Sequence, residues 1–95
     1  MSFIVSARRT AVVPRGSGFK ALRPHELAAP VIEAVLGEVG LEGGEVNQVI
    51  LSNALGGGGN PARVAALAAG LDHVSGLSID AQCAGGLDAV ALAPC

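Results

Sequence analysis

Aromatic residues are almost missing from this chain: Phe3 and Phe19 are the only two, and Trp and Tyr are absent. The core must therefore be built from Ala, Val, Leu and Ile. Base-stacking recognition of nucleic acid also lacks its usual side chains. No apolar run approaches the ~18 residues that a membrane span requires. No secretory leader is expected: Phe3-Ile4-Val5 is too short, and Arg8-Arg9 lead into Pro14 and Arg15 rather than an apolar segment. Cysteine is scarce too. Cys83 and Cys95 stand twelve positions apart, which is neither a disulfide framework nor a metal-ligand spacing. No metal site is expected, and the expected compartment is the cytoplasm.

What is present is apolar and small. Hydrophobic residues make up 51% of the 95 positions and charged ones 15%. A chain of this length allows one domain, burying roughly two-thirds of its unfolded surface. Such a composition is more apolar than a small free-standing domain normally carries, and suits the interior of something larger. Charge is unevenly placed. Arg8, Arg9, Arg15, Lys20 and Arg23 precede position 24, and eight acids against Arg63 follow it. A basic arm can meet nucleic acid or phosphate, but no recognised motif accompanies it. The arm reads as a solvated segment whose arginines pair with acids elsewhere, and neither nucleic acid nor membrane is expected as a partner.

Along the chain, strand and helix patterns alternate. Phe3 to Ala7 is a short apolar run suited to a covered strand. An irregular connection follows to Arg23. Residues 24–39 carry Leu27, Val31, Val35 and Val39 at helical spacing, with Pro24 at a helix start and Gly40 just past its end. Pro30 removes a hydrogen bond inside that pattern and predicts a kink or a delayed start. Gly43-Gly44 punctuates. A second strand over 46–53 centres on Val49-Ile50-Leu51. The run Gly56 to Gly59 lacks the Lys and hydroxyl of a phosphate loop, and Pro61 stands where a dinucleotide fingerprint needs glycine. It reads as a mobile turn leading to Asn60 as N-cap and Pro61 as first helical residue. Residues 62–69 form a small-residue helix closed by Gly70, expected to pack closely on a sheet. A third strand over 77–81 leads into an apolar helix from Ala84 to Pro94. Strand-helix alternation implies an α/β fold with a parallel sheet, the incomplete start (βαβαβα) of a doubly wound layer. The last helix has Asp88 as its one charge, and a helix apolar all round asks to be buried all round.

Cys83 stands where the third strand becomes that helix. Unpaired N–H groups and the helix dipole favour a thiolate at such a position, which makes Cys83 a candidate nucleophile. A cysteine among apolar residues is also commonly an inert core residue. Gly85 and Gly86 each cost about 1 kcal/mol relative to Ala inside a helix, so their presence suggests close approach by another element or by a substrate.

Four stretches resemble, in the same order, the amino-terminal half of the thiolases. They are Phe3-Ile4-Val5-Ser6-Ala7-Arg8-Arg9-Thr10; Val49-Ile50-Leu51-Ser52-Asn53-Ala54-Leu55; Asn60-Pro61-Ala62-Arg63-Val64-Ala65-Ala66-Leu67-Ala68-Ala69-Gly70-Leu71; and Gln82-Cys83-Ala84-Gly85-Gly86-Leu87-Asp88-Ala89. The likeness covers residues 1–95 as part of a thiolase amino-terminal domain. It implies an acyltransferase using acyl-CoA and coenzyme A as substrates, with no cofactor. Cys83 matches the cysteine that thiolases acylate before passing the acyl group to CoA or to a second acyl-CoA. Complete thiolases are usually dimers or tetramers, so the resemblance implies self-association in a complete chain.

Three positions depart from the family pattern. Gly85 replaces a serine, Asp80 replaces an asparagine three residues before the cysteine, and Ala11 replaces a proline. Thiolases also use a histidine and a second cysteine from their carboxy-terminal half; His25 and His73 match neither position, and Cys95 lacks the expected glycine-flanked motif. The 95 residues are thus expected to be a truncated thiolase, inactive alone. The alternative is a non-catalytic structural or assembly fragment with an apolar face. A cysteine hydrolase fits poorly, because its elbow would need an acid and a histidine downstream. Ketoacyl synthases share the architecture, but residues 60–71 favour thiolase.

Overall fold

A computed structural model describes residues 2–56 and 58–94. Its elements are α1 (Pro24–Val39), β1 (Gln48–Ser52), α2 (Pro61–Ala68), β2 (Ser75–Ile79) and α3 (Gly85–Leu92), with short 3-10 turns at Gly43–Glu45 and Gln82–Ala84. The two strands pair in parallel from Gln48↔Ser75 to Ser52↔Ile79. This is the expected α/β arrangement, with a helix linking parallel strands.

Helix ends follow the local chemistry. Glu26 Oε1 accepts the Arg23 N–H at 3.0 Å, satisfying one donor at the start of α1. Gly40 closes it at φ 69°, where a Cβ would be strained. The delayed start expected as one outcome of Pro30 does not occur: the helix runs from Pro24 to Val39 with Pro30 inside it. Pro30 is exposed, and on a solvent-facing side water can take the carbonyl that proline leaves unbonded.

At α2, Asn60 acts as N-cap and Pro61 as first residue. Ala62 N–H donates to Ser78 Oγ (3.0 Å), Arg63 N–H to Asn60 Oδ1 (3.2 Å) and Val64 N–H to the Asn60 carbonyl (3.1 Å). Ser78 Oγ also donates to Asn60 Oδ1, and Asn60 Nδ2 donates to the Gly76 carbonyl at 2.9 Å. The cap thereby ties the helix to β2. The other end is bracketed by Arg63, which donates to the carbonyls of Val74 and Asp72, both at 2.7 Å.

Small residues let α2 lie close on the strands, as expected. Ala62, Ala65 and Ala66 are fully buried, and Ala62 and Ala66 share a core with Val49, Leu71 and Val74. A Cβ on Gly76 would stand 2.3 Å from the Arg63 backbone nitrogen. Ile32 and Leu36 of α1 cover this core from outside. Strand alternation sends Val49 and Leu51 toward α1 and α2, and Ile50 and Ser52 toward α3. Two helices thus lie on one face of the sheet and one on the other.

Two further expectations need correction. Residues 3–7 form no strand; Phe3, Ile4 and Val5 are 78%, 79% and 70% exposed. The run passes β1 without entering the ladder, Ser6 lining a cleft with Gln48, Ile50 and Val90, and its hydroxyl is buried with no partner among the described residues. An apolar run becomes a strand only when its backbone finds a ladder and its faces find cover. The strand expected at 77–81 runs from Ser75 to Ile79, because pairing with β1 sets its register. Helix α3 asks for more cover than so few strands can give, and it is left open as expected: Leu87 is 80% exposed, and Val90 and Leu92 are also open. Strand β1 covers one side of this apolar helix and the rest is left uncovered. The arm behaves as expected in one respect, since Arg8 pairs with Glu38 near the end of α1. No described helix is long and apolar enough to cross a membrane.

Candidate active site

The two strands end side by side, and both following helices begin at that carboxyl edge, the usual place for a site in an open α/β layer. After Ile79 the chain must turn from extended to helical within five residues, 80–84. The Asp80 carboxylate accepts the Gln82 N–H at 3.0 Å, and Gln82 takes φ 51°. That left-handed conformation is uncommon for a residue with a Cβ. Ala84 N–H then donates to the Ala81 carbonyl (3.1 Å), and Gly85 N–H to the Gln82 carbonyl. The Cys83 N–H closes neither turn and lies at the head of the helix beside its own sulfur.

Cys83 is a free, exposed cysteine in this structure. Among the described residues no side chain hydrogen-bonds to its sulfur. Nor do three His, Cys, Asp or Glu side chains come together there as a metal group would. The expectation of close approach at the paired glycines holds for one of them. A Cβ on Gly85 would stand 1.9 Å from Ser52 Oγ and 2.8 Å from Ser52 Cβ, whereas Gly86 has nothing within 4 Å. Ser52 therefore occupies the space that a side chain at position 85 would need, a physical reason for glycine there.

The histidines stand elsewhere. His73 bonds the Gly43 carbonyl at 2.9 Å and precedes β2, so the length of that strand, about 16 Å, separates it from the Cys83 edge. His25 lines a cavity with Arg23, Pro24, Gly58, Pro61 and Val64, which Cys83 does not line. Cys95 and Gly57, part of the glycine run expected to be a mobile turn, lie outside the described residues. Sequence reasoning missed Ser52, Gln82 and the role of Asp80. An Asp two residues before the bonded amide is a recognisable turn signal; nothing local marks Ser52 or Gln82.

Comparison with known proteins adds identity to this geometry. Residues 2–94 match the family described as thiolase, N-terminal domain. An acetyl-CoA acetyltransferase of Shinella zoogloeoides is 44% identical over 94 residues, 96% of this chain and 24% of that protein. An acetyl-CoA acetyltransferase of Rhizobium meliloti (strain 1021) is 47% identical over 92 residues, 94% of this chain and 23% of that protein. The chain thus spans about a quarter of the length of these relatives.

Proposed function

The chain belongs to the thiolase family, and from that premise we propose that Cys83 is the acyl-accepting nucleophile of a thiolase-type acyl transfer between CoA thioesters. The observation that carries the reading is an exposed cysteine at the strand-to-helix turn, with its own amide closing neither turn. The sulfur, as thiolate, attacks the thioester carbonyl. A carbon–sulfur bond forms and the carbonyl electron pair moves to oxygen, where the Cys83 N–H can donate to it. Collapse expels the thiolate of CoA, which takes up a proton, and leaves an S-acyl cysteine. The return step transfers the acyl group to CoA or to the α-carbon of a second acyl-CoA. That step needs a positioned base, and among the described residues neither His25 nor His73 hydrogen-bonds the sulfur. The 95 residues are therefore proposed to carry the nucleophile without turning over, in the cytoplasm, where a free thiol persists.

Two assays on the purified chain test this. Incubation with acetyl-CoA followed by peptide mass spectrometry is expected to find acetyl on Cys83, and none in Cys83→Ser. Thiolysis of acetoacetyl-CoA is expected to give no turnover above background. Absence of acetyl on Cys83 refutes the nucleophile, and turnover that is lost in Cys83→Ser refutes the proposed inactivity. The second reading, a non-catalytic assembly piece, is favoured by the exposed apolar side of α3 and predicts no acetylation.

A further inference from the structure

We propose that Asp80 is a positioning residue, whose carboxylate holds Gln82 in the left-handed conformation that brings Cys83 to the head of α3. This rests on Cys83 being the acylated nucleophile and adds the device that aims it.

The turn is fixed at both ends. Ile79 is the last ladder residue, paired with Ser52. Gly85 is held against the same Ser52, because its missing Cβ is what lets the helix approach. One residue of β1 thus stands at both ends of the turn, its backbone beside the end of β2 and its side chain against the start of α3, and the residues between must reverse direction in that gap. Gln82 makes the reversal at φ 51°. Glutamine has a Cβ and lacks the short polar side chain with which Asn or Asp steady themselves in that region. The conformation is thus held from outside: the bond from the Gln82 N–H to Asp80 Oδ1 at 3.0 Å, with an ionised acceptor, fixes the peptide plane from which Gln82 turns, while the Gly85 N–H holds its carbonyl on the other side. Releasing Gln82 to ordinary backbone angles rotates the next peptide plane, which carries the Cys83 amide. Sulfur and amide then no longer address one carbonyl together. The asparagine that the family pattern expects at position 80 can make the same bond through its side-chain oxygen.

The test compares Asp80→Ala, Asp80→Asn and the double variant Asp80→Ala/Gln82→Gly with the parent, all as the full chain. Each is assayed for S-acetylation of Cys83 by acetyl-CoA and for alkylation by iodoacetamide, which needs an accessible thiol but no aligned amide. Asp80→Ala is expected to slow acetylation about tenfold, the loss of one charge-assisted hydrogen bond, with alkylation within about twofold. Asp80→Asn is expected to stay within about threefold of the parent, since a neutral acceptor keeps the bond in weaker form. Gln82→Gly is expected to restore acetylation in the Asp80→Ala background, because glycine takes positive φ without a steric penalty. Loss of fold would change both reactions together and would not be repaired by an added glycine. If Asp80→Ala fails to fold by circular dichroism, Asp80→Asn and the double variant decide. Unchanged acetylation in Asp80→Ala, slowing in Asp80→Asn as large as in Asp80→Ala, or no rescue by glycine overturns the proposal. A parent chain that takes no acetyl on Cys83 overturns the underlying nucleophile reading instead.

Discussion

Gly85 and Gly86 are neighbours in the first turn of one helix, yet alanine at the two positions is expected to act with opposite sign. At Gly85 the new Cβ lies 1.9 Å from Ser52 Oγ and 2.8 Å from Ser52 Cβ. Rotation of the serine can move its hydroxyl away. It cannot move the Cβ, which is fixed by the strand. The helix must therefore back off β1, and such overpacking costs about 1–3 kcal/mol. Against this stands a gain of about 1 kcal/mol for replacing a helical glycine by alanine, leaving a net loss of up to about 2 kcal/mol. At Gly86 nothing lies within 4 Å, so only the gain remains, about 0.4–1 kcal/mol. Urea unfolding followed by circular dichroism measures both. In a domain this small each kcal/mol moves the melting temperature by about 4–8 °C, so thermal melts separate the variants as well. Ser52→Gly should relieve the clash, making the Gly85→Ala/Ser52→Gly pair more stable than the sum of its single changes. If Gly85→Ala stabilises the chain as Gly86→Ala does, α3 is not held against β1 in the way described, and the placement of Cys83 loses its anchor.

Further substitutions probe how α2 is seated. Gly76→Ala puts a Cβ 2.3 Å from a backbone nitrogen of α2, which no rotamer can relieve; a loss of about 3 kcal/mol is expected in urea unfolding. Asn60→Ala removes the helix cap together with the bond to the Gly76 carbonyl, and about 2 kcal/mol should go with it. Arg63→Lys keeps the charge but cannot fork to the carbonyls of Val74 and Asp72 at once. A loss of about 1 kcal/mol is expected, together with faster amide exchange in residues 72–74.

What the sequence makes legible is local chemistry. Pro24 with Gly40, and Asn60 and Pro61 with Gly70, mark helix ends through dihedral and capping preferences that act within a few residues, and both helices form there. The strand over Val49-Ile50-Leu51 is legible for a similar reason. What fails is what depends on a partner. Phe3 to Ala7 has the composition of a strand and no ladder. Ser75 and Gly76 lack strand propensity and are strand because β1 recruits them, which shifts β2 by two residues. For α3, the apolar pattern states a demand for cover that two strands do not meet. At the site, Cys83 and its turn are visible in the sequence. The left-handed Gln82 is not, because the cause lies in the neighbouring Asp80 and in the fixed ends of the turn.

The beginning of α2 has a chemical consequence for the glycine run before it. Pro61 has no amide hydrogen, and those of Ala62, Arg63 and Val64 are already engaged by Ser78 and Asn60. An anion arriving along Gly58 and Gly59 therefore finds a helix whose donors are spoken for. One strand over, in the turn before α3, the Cys83 amide has no hydrogen-bond partner among the described residues, so the two helix starts at this edge differ in the donors they leave open.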